Sequence, residues 1–226
     1  IAVTGTNGKT TTSRMIAHIF KGLGRKVGMT STDGVVIDER LVIKADASGP
    51  KSARMVLMNP RVDFAVMEVA RGGILREGLG YDRNDVAVVT NVAPDHLGMR
   101  GIDTLEQLAD VKAVVVEAVP RDGFAVLNAD DPLCLAMADY TEAKVICYVT
   151  LNPEHQLVRA HIRAGGRALA LEAGVNGQMI TIYDKGGHIP LLWTHLIPAT
   201  LEGRAMHNVQ NAMFAAAMAF SMGVKL

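Results

Sequence analysis

The first twelve residues have the types and the spacing of groups that bind phosphate. A short apolar run, residues 1–3, leads into a glycine-rich stretch from Thr4 to Thr12, TGTNGKTTT, and a helical pattern follows. Glycines let backbone N–H groups turn inward around phosphate oxygens, and a helix start adds partial positive charge. The Lys9 ammonium can reach the outer phosphates, and the Thr10 hydroxyl can bind Mg²⁺. We therefore predict a nucleotide phosphate site at Gly5, Thr6, Asn7, Gly8, Lys9, Thr10 and Thr11.

This loop departs at one position from the common phosphate-loop pattern. The pattern G-x-x-x-x-G-K-[ST] requires glycine at position 3, where this sequence has Val3. The loop is therefore a variant. The alternative is a glycine-rich turn between a strand and a helix with an incidental lysine.

A carboxylate follows a second buried strand. Residues 64–69, FAVMEV, read as a strand with Glu68 near its carboxyl end. Carboxyl ends of parallel strands line the ligand crevice, so Glu68 should face Thr10 and help to hold Mg²⁺. We expect its carboxylate to face solvent and ligand. The alternative is an ion pair with Arg71 or Arg76.

The next strand, residues 86–90, delivers Asn91, Asp95 and His96 to the same edge. The pairing of Asp95 with His96 at this place favours a catalytic role. A lone histidine would more often be hydrogen-bonded and structural.

Lys112 lies in a helical stretch, residues 103–118, with apolar neighbours on both sides. A buried lysine loses its charge more readily, and the neutral amine can react with CO₂ to give a carbamate that ligates Mg²⁺. The alternative is an ordinary surface lysine.

Two polar groups near the C-terminal end suit a nucleotide base. Asn208 and Asn211 are three residues apart on one predicted helix face, and a carboxamide matches an adenine edge. Asn208 also fits a helix cap. Asp131, before Pro132, fits either a helix cap or a nucleotide contact.

Composition limits the class of protein. The 226 residues carry 23 Lys and Arg against 23 Asp and Glu, which argues against a general nucleic-acid or anionic-membrane surface. No apolar run is long enough to span a bilayer. Two cysteines are too few for a disulfide framework, and we expect a cytoplasmic protein with reduced thiols. The oligomeric state is left open, with a homo-oligomer among the alternatives.

The order of elements predicts an α/β fold. Apolar runs at 1–4, 27–30, 64–69, 86–90, 124–127 and 144–149 alternate with helical stretches, as in a mostly parallel phosphate-loop sheet with helices on both faces. A hairpin is predicted at 35–43. Alternating patterns at 157–163, 167–171 and 178–183 predict a small antiparallel patch near residues 157–192. We treat residues 1–226 as one domain with a small β subdomain at about 153–200.

These motifs together resemble the central, ATP-binding domain of the Mur ligase family. The resemblance spans residues 1 to about 222 and rests on TGTNGKTTT, MEVARGG, NVAPDH, Lys112, NADDP and HNVQNAMFAAAMA. Within the family the chain is most similar to the Mur-like module of the cyanophycin synthetase branch, through TSTDGVVID, ARGGILREGL, DHLGMRGIDTLEQLADVK and LNADDPL. Folylpolyglutamate synthetases share the Asp-His and Lys elements but not ARGGIL.

The resemblance implies an ADP-forming ligase. ATP would phosphorylate a substrate carboxylate, and an amine would displace phosphate; in the cyanophycin branch, arginine joins the β-carboxylate of aspartate in a polymer. Lys9, Glu68, His96 and Lys112 would be catalytic. Thr10 and Glu68 would hold one Mg²⁺, His96 and carbamylated Lys112 a second, and Asn211 would face adenine. The alternatives are a folylpolyglutamate or peptidoglycan-precursor ligase, a nucleotide-binding switch, and a noncatalytic homologue.

The resemblance also implies missing parts. Mur ligases have a further C-terminal domain, and the cyanophycin branch has an ATP-grasp module upstream. Neither is in this chain, and neither chain end reads as a natural terminus, so we expect a segment of a longer polypeptide.

Overall fold

The computed structural model describes residues 1–95 and 97–225. Its strands are β1 (Ala2–Thr4), β2 (Val27–Ser31), β3 (Gly34–Ile37), β4 (Arg40–Ile43), β5 (Phe64–Glu68), β6 (Val86–Val89), β7 (Phe124–Asn128), β8 (Val145–Thr150), β9 (Arg167–Gly174), β10 (Gly177–Asp184) and β11 (Gly187–Trp193). Its α-helices are α1 (Lys9–Gly22), α2 (Pro50–Leu57), α3 (Arg71–Glu77), α4 (Leu105–Glu117), α5 (Pro132–Ala136), α6 (Gln156–Arg163) and α7 (Met206–Ser221).

One sheet contains all these strands, in the order β11-β10-β9-β8-β7-β6-β1-β5-β2-β3-β4. The central pairings from β2 to β9 are parallel, and the two ends, β2-β3-β4 and β9-β10-β11, are antiparallel. The chain passes from β5 on one side of β1 to β6 on the other. The crevice at this reversal of strand order is where ligands bind in such sheets.

Helices cover both faces because the central strands are apolar on both faces. Val86 and Val88 of β6 belong to the core under α1 and α7, whereas Ala87 and Val89 belong to the core under α4 and α5. A strand buried on both sides requires such an unbroken apolar run. The predicted mostly parallel α/β sheet is therefore confirmed.

One element differs from the sequence-based expectation. Residues 157–163 were expected to form an antiparallel strand but lie in helix α6, which crosses over from β8 to the parallel strand β9. Val158 and Ile162 are four residues apart and pack into the same core, a spacing that fits a helix as well as an alternating strand. The His155 ring accepts the Val158 N–H at 3.4 Å at the helix start, and Gly165, with φ +84°, follows its end.

The antiparallel patch itself is present. It consists of β9, β10 and β11, with turns at 175–176 and at Lys185 and Gly186, and it extends the main sheet rather than lying apart from it. The hairpin predicted at 35–43 is also present, with Asp38 and Glu39 both at positive φ in its turn.

Candidate functional site

The glycine-rich loop lies between β1 and α1, at the carboxyl edge of the sheet. Gly5 has φ +140° and Gly8 has φ +85°. A Cβ on Gly5 would lie 2.0 Å from the Thr90 hydroxyl oxygen, and one on Gly8 would lie 2.3 Å from Asn211 Oδ1. Both backbone conformation and space therefore require glycine at these two positions.

The first turn of α1 is open toward the crevice. The helix starts at Lys9 after Gly8, and no side chain caps it. Its first intrahelical bond runs from the Thr12 N–H to the Gly8 carbonyl at 2.9 Å. Because the preceding N–H groups have no intrahelical partner, this end of α1 is suited to a phosphate group.

Thr6 and Asn7 play a different part from the helix start. The Thr6 N–H donates to the Asn91 carbonyl, and the Asn7 N–H donates to Asn91 Oδ1, both at 2.9 Å. These two N–H groups are therefore used inside the protein, so Thr6 and Asn7 shape the loop. Lys9 Nζ donates to the Thr6 carbonyl at 2.8 Å and would exchange this partner for phosphate oxygens.

Glu68 meets Thr10 as the sequence predicts, but it is buried. Thr10 Oγ1 donates to Glu68 Oε2 at 2.8 Å, and the Thr32 N–H lies 3.4 Å from the same oxygen. Glu68 is only 2% exposed, so the expectation of a solvent-facing carboxylate is wrong; the turn after β2, which carries Thr32, lies over it. Burial raises the pKa of the Glu68 carboxyl, although the Thr10 hydrogen bond and the Lys9 charge act in the opposite direction.

The second oxygen of this carboxylate fits a metal ligand. Glu68 Oε1 is buried and has no hydrogen-bond partner. An unpartnered buried carboxylate oxygen is unfavourable, and coordination of Mg²⁺ beside the Thr10 hydroxyl would satisfy it. In the described part of the chain, no three His, Cys, Asp or Glu side chains come together as a metal site. Phosphate oxygens and water would therefore complete the Mg²⁺ shell.

Lys112 lies directly beneath the phosphate loop. It is 2% exposed, and its Nζ donates to the Gly5 carbonyl at 3.0 Å. Burial, together with the like charge of Lys9, lowers the pKa of Lys112 to about 8, whereas Asp95 acts to raise it. A capping box at the start of α4, between Thr104 and Gln107, fixes the helix that carries it. The structure thus confirms burial and excludes an ordinary surface lysine.

His96 lies outside the described residues, so its assignment remains a prediction. Asp95 is described and lies close enough to influence the charge of Lys112. Lys112 therefore lies close both to the loop, through the Gly5 carbonyl, and to Asp95.

The two asparagines of α7 contact each other, and Asn211 also contacts Thr12 at the end of the glycine-rich stretch. Asn211 Nδ2 donates to Asn208 Oδ1 at 3.3 Å, and Asn211 Oδ1 accepts from Thr12 Oγ1 at 3.3 Å. Asn208 lies within the first turn of α7 rather than at its cap, and its Nδ2 donates to the Ala199 carbonyl at 2.7 Å. Asn211 therefore borders the loop, and contact of either residue with adenine remains a prediction. Asp131, by contrast, is a helix cap: it accepts from the Leu133 and Cys134 N–H groups.

Sequence reasoning missed the groups that hold this edge together. Asn128 Nδ2 donates to the Thr90 carbonyl at 2.7 Å, and Gln210 Nε2 donates to Asn128 Oδ1 at 3.2 Å. A signal existed, because Asn128 ends a strand next to the strand that precedes Asn91. The sequence-based prediction for this stretch gives a role to Asp131, as a helix cap or a nucleotide contact, and none to Asn128.

Comparisons with known proteins agree with this fold. The family model described as Mur ligase middle domain matches residues 3–219. A cyanophycin synthetase from Synechocystis sp. is 49% identical over 224 residues, which is 99% of this chain and 25% of that protein. A cyanophycin synthetase from Trichormus variabilis is 49% identical over 232 residues, with 24% of that protein covered. The chain therefore spans about a quarter of the length of these curated relatives.

Solved structures give the same fold. A UDP-N-acetylmuramoyl-L-alanyl-D-glutamate–2,6-diaminopimelate ligase matches with a TM-score of 0.67 and 25% identity, over 99% of this chain and 43% of that one. A folylpolyglutamate synthase from Mycobacterium tuberculosis matches with a TM-score of 0.59 and 22% identity, over 100% of this chain and 55% of that one.

In the described residues, no helix is both long and apolar enough to cross a membrane.

Proposed function

This chain belongs to the Mur ligase family, and on that premise we propose that it is the nucleotide-binding module of an ATP-dependent, amide-forming ligase. The substrates are ATP, a carboxylate on a peptide or polymer, and an amino acid. The products are an amide, ADP and phosphate. We assign the activity to the intact polypeptide rather than to this module alone, since the curated relatives are about four times as long.

The contact between Thr10 and Glu68 carries this proposal. It places a hydroxyl and a buried carboxylate with one unpartnered oxygen beside the open start of α1. That combination suits a nucleotide phosphate with Mg²⁺. A turn with only a structural role would not require a buried carboxylate with an unpartnered oxygen. Bound Mg²⁺ would neutralise charge on the phosphates and on the transferred group.

The residues of the chain supply the rest of the electrostatics. Lys9 moves from the Thr6 carbonyl to the outer phosphates, and the N–H groups at the start of α1 bind phosphate oxygens. A carboxylate oxygen of the acceptor attacks the γ-phosphorus and ADP leaves, which gives an acyl phosphate. The amine nitrogen then attacks the acyl carbon, loses a proton, and phosphate leaves. Charges placed in this way account for most of the lowering of the free-energy barrier to phosphoryl transfer.

Lys112 completes the site as a carbamate in this proposal. The neutral amine attacks CO₂ and loses a proton, which replaces a cation by an anion with two oxygen ligands. Its buried position under Gly5 places it next to the loop, where an uncompensated ammonium would repel a metal ion. With His96, it would hold a second Mg²⁺ near the acyl phosphate.

The amino acid added is arginine, and the acceptor is the β-carboxylate of aspartate in a growing polymer. The support is the 49% identity to cyanophycin synthetases, against 29% to a peptidoglycan-precursor ligase from Chlamydia caviae. We place this reaction in the cytoplasm. Both cysteines are free and buried in the structure, as a reducing compartment allows.

The identity of the amino acid can be tested directly. The intact protein is incubated with ATP, Mg²⁺ and an aspartate polymer, together with arginine, glutamate or diaminopimelate in separate reactions. We expect ADP release and a mass increase of the polymer with arginine alone. Equal or faster ligation of glutamate or diaminopimelate would contradict the assignment and favour another Mur-type ligase.

A further inference from the structure

The segment after β6, Thr90 to Ala93, forms an inner wall against which the phosphate loop is folded. The Thr90 hydroxyl donates to the Asn7 carbonyl at 2.6 Å, and the Ala93 N–H donates to the Thr6 hydroxyl at 3.0 Å. Together with the bond from the Thr6 N–H to the Asn91 carbonyl, these contacts attach the middle of the loop to this wall.

Asn91 makes the most specific of these contacts. Its Oδ1 accepts the Asn7 N–H at 2.9 Å, and its Nδ2 donates to the Asn7 carbonyl at 3.1 Å. One side-chain amide thus pairs with both polar groups of one loop residue, as a neighbouring strand would. A carboxamide is the side chain that offers a donor and an acceptor in this arrangement.

The wall is itself held from behind by Asn128. This residue is 4% exposed at the end of β7, and its Nδ2 donates to the Thr90 carbonyl at 2.7 Å. Its Oδ1 accepts from the Asp130 N–H at 3.0 Å, so both ends of the carboxamide are engaged. The Val92 N–H donates to Asp131 Oδ2 at 2.6 Å. The wall therefore has a fixed position independent of any nucleotide.

From this arrangement we infer that Asn91 is a positioning residue for phosphate binding, supported by Asn128, rather than a group that contacts nucleotide or metal. This inference rests on the proposed nucleotide site. Because the Asn7 N–H is hydrogen-bonded to Asn91 in the wall, the loop has its conformation before the ligand arrives. The N–H groups that remain for phosphate are those at the start of α1. A loop that is ordered before the ligand arrives binds it more tightly, because binding then loses less conformational entropy.

The test compares Asn91→Leu and Asn128→Leu with a control, Asn59→Leu, in the intact protein. Asn59 also accepts a backbone N–H, that of Arg61, at 3.0 Å, but it precedes β5 and so lies at the opposite edge of the sheet. Inorganic tripolyphosphate and ATP, each with Mg²⁺, are titrated by calorimetry. We expect Asn91→Leu and Asn128→Leu each to weaken binding about tenfold, by a similar factor for ATP and tripolyphosphate. The first variant loses two hydrogen bonds to the loop, and the second loses the hydrogen bond that holds the Thr90 carbonyl. Asn59→Leu should change neither affinity.

A second measurement does not depend on nucleotide. Hydrogen exchange at the Asn7 amide should be slow in wild type and in Asn91→Asp, which keeps an acceptor, and fast in Asn91→Leu. Wild-type affinity for tripolyphosphate in Asn91→Leu, or unchanged protection of the Asn7 amide, would overturn the inference. If wild type binds neither ATP nor tripolyphosphate, the proposed function fails. If wild type binds both but Asn91→Leu leaves exchange at the Asn7 amide unaltered, the inference about Asn91 fails by itself.

Discussion

We expect Lys112→Ala to lower the ligation rate of the intact protein by about a thousandfold, the scale on which active-site charge stabilisation acts. Added acetate or formate should restore part of this rate, because a small carboxylate can occupy the oxygen positions left by the carbamate. Lys112→Arg should remain inactive, since it keeps a positive charge where the proposed mechanism requires a negative one. The rate of ADP formation at saturating ATP measures all three outcomes.

The control for these variants is Lys51→Ala. Lys51 is an exposed lysine on α2 with a side chain 84% accessible and a surface ion pair to Glu77, so Lys51→Ala tests the loss of a surface positive charge. Near-normal activity in Lys112→Arg would contradict the carbamate. It would mean that the ammonium supports the loop through its bond to the Gly5 carbonyl.

Glu68→Gln should abolish the effect of Mg²⁺ on ATP binding and leave a folded protein. Glutamine keeps an acceptor for the Thr10 hydroxyl but removes the anionic oxygens that Mg²⁺ prefers. Calorimetry with and without Mg²⁺ gives the affinity. Glu77→Gln is the matched control, since Glu77 pairs with Lys51 at the surface. A Mg²⁺ effect that persists in Glu68→Gln would exclude Glu68 as a ligand.

The same variant has an expected dependence of stability on pH. The folded-state pKa of Glu68 is raised, so its favourable contribution exists below the ordinary value of 4.5 and is lost as pH rises through the folded value. Without Mg²⁺, loss of the Glu68 proton as pH rises leaves wild type with a buried charge that glutamine lacks. The free energy of unfolding of Glu68→Gln relative to wild type should increase from pH 4 to pH 7. A decrease over this range would indicate an ion pair.

The positions of Lys9, Thr10 and Glu68 could be predicted from sequence because local signals determine them. A glycine-rich turn before an apolar helix fixes the loop, and a strand end fixes Glu68 at the same edge. The burial of Glu68 could not be predicted in this way. It depends on Thr32, which is distant in sequence and is brought over the carboxylate by the turn after β2.

The part played by Asn91 was also beyond sequence reasoning. A polar residue after a strand suggests a ligand, yet the Asn91 carboxamide donates to and accepts from the backbone of Asn7. The strand expected at 157–163 failed for a local reason, since apolar residues at 158, 160 and 162 fit a period of two as well as a helix. Helix α3 was not predicted because Gly72 and Gly73 lie within it, and glycine disfavours helices.

The central step of the proposed reaction is transfer of the γ-phosphoryl group of ATP to a substrate carboxylate. Its most direct test is an isotope measurement in the intact protein, with an aspartate polymer whose β-carboxylates carry oxygen-18, together with ATP, Mg²⁺ and arginine. Because an acyl phosphate keeps one carboxylate oxygen on phosphorus when the amine displaces phosphate, we expect one oxygen-18 atom in each phosphate released. Amide formation with unlabelled phosphate would contradict it.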